Sequence, residues 1–175
     1  SAKPTAVVTA LIGLDDIPAV LTLLTFLQEH AGTMLSAYEL ISNDCLDLVT
    51  TQYPQLPYPF AKKQAQAVLL EFSGQDSEEH VRHALESLLM VADQKSIVRE
   101  VLVAQSLAQS MQFWHLREHI PLAQAQMGKN IKHDISLPRS HLESFFNQAE
   151  QALKKAYPDC RIFSFGHVGD GNIHY

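Results

Sequence analysis

Two rhythms of apolar residues alternate along this 175-residue chain, and each change of rhythm marks a passage between strand and helix. Residues 5–14 are rich in β-branched and small apolar side chains, a strand composition, and Gly13 with Asp15-Asp16 then supplies a stop and a helix cap. Over 17–30 the spacing becomes helical, with Val20, Leu21, Leu23, Leu24 and Leu27 on one side and Gly32 where a C-terminal cap belongs. A second strand is expected at 34–40. Ser42-Asn43-Asp44 cap a short helix through Leu46, Leu48 and Val49, after which Pro54, Pro57 and Pro59 enforce a loop. Strand character returns at 65–72, and Ser77-Glu78-Glu79 opens an amphipathic helix carrying Val81, Leu85 and Leu89.

The second half is read in the same way. Residues 97–103 alternate like a strand but run on into helix-favouring Ala and Gln, so a short strand and then a helix are expected. There follow a helix over 106–120 stopped by Pro121, a strand over 130–137, a helix over 138–156, a strand over 161–165 and a glycine-rich turn over 166–175. The strands are short, alternate on one side and have no Gly-rich phosphate loop, which argues against a parallel α/β sheet. The expected class is α+β: helices packed on one face of a mainly antiparallel sheet, in a ferredoxin-like or duplicated ferredoxin-like arrangement.

Composition narrows the function classes. The net charge of −6 comes from 19 acidic and 13 basic residues, and the basic ones are scattered. No dense cationic face exists for a phosphate backbone, so nucleic acid is excluded as an expected partner. Cys45 and Cys160 are too few for a disulfide framework and read as small buried apolar residues. A reducing, cytoplasmic setting is expected, with peripheral membrane attachment left open. The apolar stretches fall short of the roughly 20 residues of a membrane span, and no basic segment precedes an apolar run at the start.

The densest chemical signal is Gly166-His167-Val168-Gly169-Asp170-Gly171-Asn172-Ile173-His174, directly after an apolar strand. Its glycines can take positive φ, and Asp170 or Asn172 can tie the turn to its own backbone, so both imidazoles can be folded toward one spot. Two imidazoles are metal ligands only with a third, and none is obvious nearby; a plain hairpin with exposed histidines is the equal alternative. Earlier, Arg117 sits on the last turn of a helix, where a cation suits the macrodipole, and Lys132 at the start of a strand. Brought together by a fold, the two would make a carboxylate clamp. The other histidines, His133 beside Lys132 included, read as surface or ordinary core residues.

Taken in order, Arg-Glu before a proline-stopped helix, Lys132-x-Asp134-x-Ser136-x-Pro138, then Phe165-Gly-His-x-Gly-Asp-Gly-Asn-x-His174, resembles the C-terminal domain of the FAD-linked oxidases. That group includes D-lactate dehydrogenases, D-2-hydroxyglutarate dehydrogenases and the D-subunit of glycolate oxidase. The resemblance covers essentially the whole chain. It implies that residues 1–175 are a substrate-binding cap, cut within its last motif and inactive alone, with FAD held by a separate domain of the same protein. It implies oxidation of a D-2-hydroxyacid to a 2-oxoacid, a small 2-hydroxyacid as substrate, and a quinone or protein as electron acceptor. Arg117 and Lys132 would bind substrate carboxylate, His167 and His174 a divalent zinc or manganese, and Gly169, Asp170, Gly171 and Asn172 would lie against flavin. The third metal ligand and the base belong to a later motif beyond Tyr175. Pro121 stands where some relatives carry a hydroxyl residue, which leaves the substrate open. Against this stands a stand-alone ferredoxin-like module that binds metal or ligand or forms a homodimer.

Overall fold

The computed structural model describes residues 5–127, 134–156, 165–167 and 172–175, of which 135, 139, 165, 167 and 172 are described by their backbone alone. In chain order the elements are β1 (Ala6–Leu14), α1 (Ile17–Ala31), β2 (Leu35–Ser42), α2 (Asn43–Gln52), β3 (Gln66–Gly74), α3 (Glu78–Gln94), β4 (Glu100–Val103), α4 (Leu107–Glu118), α5 (Ile120–Ala125), β5 (Asp134–Ser136), α6 (Arg139–Ala156), β6 (Phe165–His167) and β7 (Asn172–His174). A single turn of tighter helix joins α1 to β2.

Helices α1 to α4 each begin where a short polar side chain meets an apolar stretch. The side chains of Asp16, Ser42, Ser77 and Ser106 accept the N–H groups of Ala19, Cys45, His80 and Gln109, which satisfies donors that a helix start otherwise leaves orphaned. At the far end of α1, Gly32 takes φ 57°, a left-handed conformation open to glycine at little cost.

All the strands lie in one sheet of order β4-β1-β3-β2-β6-β7-β5, and every pairing is antiparallel. The first four strands, β4-β1-β3-β2, with α1 and α3 as connections, are a ferredoxin-like unit, into which α2 is inserted between β2 and β3. β5, α6, β6 and β7 repeat the start of that pattern, with strand order β5-β7-β6, and the two units join edge to edge through β2 and β6. The α+β class and the duplicated ferredoxin-like order are as expected.

The helices depart from expectation in lying on both faces. Val8, Ala10, Ile12, Leu70 and Phe72 face α1, α3 and α6 through Leu23, Leu27, Val81, Leu85, Leu142 and Phe146. Leu11, Ile41, Ala67 and Leu69 face α2, α4 and α5 through Leu46, Val49, Phe113, Leu116 and Ile120. The physical reason is written in β1 and β3, which are continuous apolar runs and not alternating ones, the pattern of a strand buried on both sides. Each fully buried Leu, Ile or Phe contributes roughly 1.5–3 kcal/mol, so both layers are strongly held.

Two other details differ from expectation. The helix expected over 106–120 does end before Pro121, at Glu118, but Pro121 also stands in the first turn of an unexpected helix, α5, a place that needs no amide hydrogen and suits its fixed φ. Residues 166–175 are not one turn, because β6 and β7 pair across residues 168–171 as a hairpin. The expected strand stretches 130–133 and 161–164 lie outside the described residues, as does Cys160; Cys45 is buried as expected.

Candidate functional site

Helix α4 carries the first candidate, and its docking explains where that side chain goes. Ser110, Phe113, Trp114 and Arg117 recur at helical spacing and so share one face. Phe113, with Leu116, enters the apolar layer under the sheet, while polar contacts fasten the rest. The Trp114 indole N–H donates to Glu71 Oε2 at 2.9 Å, and the Thr9 hydroxyl donates to the same oxygen at 2.7 Å. Thr9 having spent its only proton there, Ser110 is the donor in the 2.5 Å contact between the two hydroxyls.

One turn further along, Arg117 Nε lies 3.9 Å from Glu39 Oε2, with the arginine side chain 15% and the glutamate 4% exposed. Glu39 is a charged residue in the middle of a buried strand. Its neighbours on the same side are apolar, Ile41 along β2 and Leu69 across it.

Strand register carries the site outward from Glu39. On β6, His167 is directly opposite Glu39 and Phe165 opposite Ile41. On β7, His174 is opposite Phe165, two positions from His167, and on β5 Asp134 is opposite His174. With a side-chain period of two, Glu39, His167, His174 and Asp134 hold same-parity positions across four neighbouring strands. Ile173, between them, is buried with Leu142 and Phe146 beneath α6, and Tyr175 stacks on Phe145 and Phe146. The face bearing the row is thus the one turned from α6, where the apolar layer of α2, α4 and α5 includes no described residue of β5, β6 or β7.

His174 Nδ1 lies 2.5 Å from Asp134 Oδ1. A carboxylate on Nδ1 holds the proton there and puts the lone pair on Nε2, the arrangement that metal-ligating histidines use. The observed pair therefore fits a ligand role for His174. Among the described residues no group of three His, Cys, Asp or Glu converges for a metal.

Of the sequence-derived candidates, the structure brings Arg117, His167 and His174 to one stretch of sheet. Lys132, Gly169, Asp170 and Gly171 lie outside the described residues, and Asn172 is placed only as the first position of β7. Two contributors were missed. Glu39 announces itself only as a charge inside the apolar run of β2, and Asp134 only as the third residue of the Lys-x-Asp motif.

Comparison with known proteins now places the chain. It belongs to the family described as FAD linked oxidases, C-terminal domain, matching it over residues 3–175. A mitochondrial D-2-hydroxyglutarate dehydrogenase of Arabidopsis thaliana is 30% identical over 172 residues, which cover 98% of this chain and 30% of the relative. A D-2-hydroxyglutarate dehydrogenase of Stutzerimonas stutzeri is 29% identical, with 98% and 36% covered. A D-2-hydroxyglutarate–pyruvate transhydrogenase of Saccharomyces cerevisiae is 26% identical, with 99% and 36% covered. The chain thus spans about a third of the length of these relatives. Among solved structures, an alkyldihydroxyacetonephosphate synthase shares the fold at a TM-score of 0.60 and 11% identity, over 99% of this chain and 35% of that one.

Proposed function

We propose that this chain is the substrate-facing part of a flavin-dependent dehydrogenase that oxidises a D-2-hydroxyacid to a 2-oxoacid. The observation that supports the reading is that Arg117 reaches Glu39, whose register partner on the neighbouring strand is His167, with His174 on the next strand of the same sheet. The D-2-hydroxyglutarate dehydrogenases among its relatives support the substrate class.

In this reading Arg117 binds the substrate carboxylate through its planar fork, and Lys132 adds a second, compact charge. A dicarboxylate such as D-2-hydroxyglutarate would use both. His167 and His174 would hold a divalent zinc or manganese, with Asp134 keeping His174 in the ligating tautomer. A metal bound there supplies a Lewis acid for the substrate hydroxyl. The family name, with the chain spanning about a third of its relatives' length, supports an FAD held by a separate domain of the full-length protein, with residues 169–172 against it. Bound flavin supplies the acceptor for the electron pair; the chain's own residues bind, orient and fix protons.

The test is steady-state oxidation of D-2-hydroxyglutarate and D-lactate by the full-length protein and its Arg117→Ala variant. Losing a charge-assisted bond worth about 1.5–3 kcal/mol should lower kcat/KM roughly 10- to 100-fold. Unchanged kcat/KM for every D-2-hydroxyacid oxidised would contradict the assignment.

A further inference from the structure

We infer that Glu39 is a positioning residue: its buried carboxylate sets the Arg117 guanidinium for carboxylate recognition and ties it to the strand pair that carries His167. The inference rests on the reading of Arg117 as the carboxylate-binding group and goes beyond it by naming what aims that arginine.

Two observations carry it. The carboxylate is almost fully buried on β2 and makes its ion pair with Arg117 from below α4. The same residue is the register partner of His167 on β6. Glu39 is therefore where the first ferredoxin-like unit, bearing α4, meets the second unit, bearing the histidine hairpin. A shift of either unit against the other would be felt at this position.

Stability alone is a poor reason for the pair. Taking a carboxylate and a guanidinium out of water carries a desolvation penalty that their attraction need not repay, and apolar replacements are often neutral or stabilising. The surrounding positions Leu11, Ile41 and Leu69 show that an apolar side chain fits this layer. What the ion pair adds is direction. The carboxylate meets the arginine through Nε at 3.9 Å, along one edge of the guanidinium, which sets the direction in which the planar fork is presented. An arginine with an apolar floor would keep its charge and lose that orientation.

The experiment uses the full-length protein with the D-2-hydroxyacid that it oxidises, comparing wild type, Glu39→Gln, Glu39→Asp and Arg117→Ala by kcat, KM and thermal midpoint. Glu39→Asp keeps the charge and is the variant expected to fold even if Glu39→Gln does not. It withdraws the carboxylate by one methylene, and misplacement on this scale should raise KM roughly 10- to 100-fold. Loss of substrate binding common to ground and transition states leaves kcat little changed. Glu39→Gln, if folded, should raise KM at least as far. Wild-type KM in Glu39→Asp, with KM raised in Arg117→Ala, would overturn the positioning role while sparing the arginine. Loss of kcat in parallel with the thermal midpoint, with no selective change in KM, would reduce Glu39 to a structural residue and overturn it too. Unchanged KM in Arg117→Ala would remove the underlying assignment, and the inference would fall with it.

Discussion

Single residues in this chain are governed by whom they meet across the sheet, and the meeting is often invisible in one dimension. Arg117 stood out because a cation at a helix end before Pro121 is easily read, whereas Glu39 looks like an ordinary charge until β2 is seen to be buried on both sides. His174 was legible as a candidate through its motif, and its Asp134 partner became evident only when β5 paired with β7. Tyr58 is a further case. Its hydroxyl donates to Asn43 Oδ1 at 2.8 Å and accepts the Gln64 N–H at 3.0 Å, pinning the proline loop to the start of α2. Burial pushes its pKa up, outweighing the Gln64 hydrogen bond that pulls it down. A group whose folded pKa lies above its unfolded value contributes stability below the unfolded value, and that contribution is lost as pH rises through the folded one. Tyr58→Phe should therefore cost about 1 kcal/mol near neutral pH. The gap from wild type should narrow above about pH 10, the ordinary tyrosine value. Denaturant midpoints measured across that range check it; parallel curves would show that the hydroxyl does not titrate in the way its burial requires.

At the scale of elements, the caps were the most readable feature, because Asp16, Ser42, Ser77 and Ser106 act through the three residues that follow them. Local chemistry decides such points locally. The stop before Pro121 was legible, but the start of α5 there was not, because the same proline that cannot continue one helix suits the first turn of the next. The second layer of helices was missed although β1 and β3 carry its signature: two-sided apolar runs need cover on both faces. Helix α4 is the element on which the candidate site depends, since it fixes Arg117 above Glu39. Phe113, 4% exposed, is its main apolar anchor. Phe113→Ala should cost about 3–5 kcal/mol, lowering the thermal midpoint and weakening carboxylate binding together. A stable variant with intact substrate affinity would show that the polar contacts of Ser110, Trp114 and Arg117 suffice to hold the helix.

For the whole molecule, the mainly antiparallel sheet was anticipated from short strands without a Gly-rich phosphate loop, but the edge-to-edge joining of two ferredoxin-like units through β2 and β6 was not, because no local signal reports which sheet edges meet. That junction sets Arg117 and the histidine hairpin within one surface, and it leaves the face of β6, β7 and β5 turned from α6 outside the apolar layer of α2, α4 and α5. In the reading proposed above, a flavin-bearing domain of the full-length protein would cover that face. The most direct test is the visible spectrum of the full-length protein under anaerobic conditions, before and after adding D-2-hydroxyglutarate, D-lactate or their L enantiomers. The account predicts a blue-absorbing flavin band that is bleached by a D enantiomer and not by its L counterpart. A colourless protein, or a flavin band that no D-2-hydroxyacid bleaches, would contradict it.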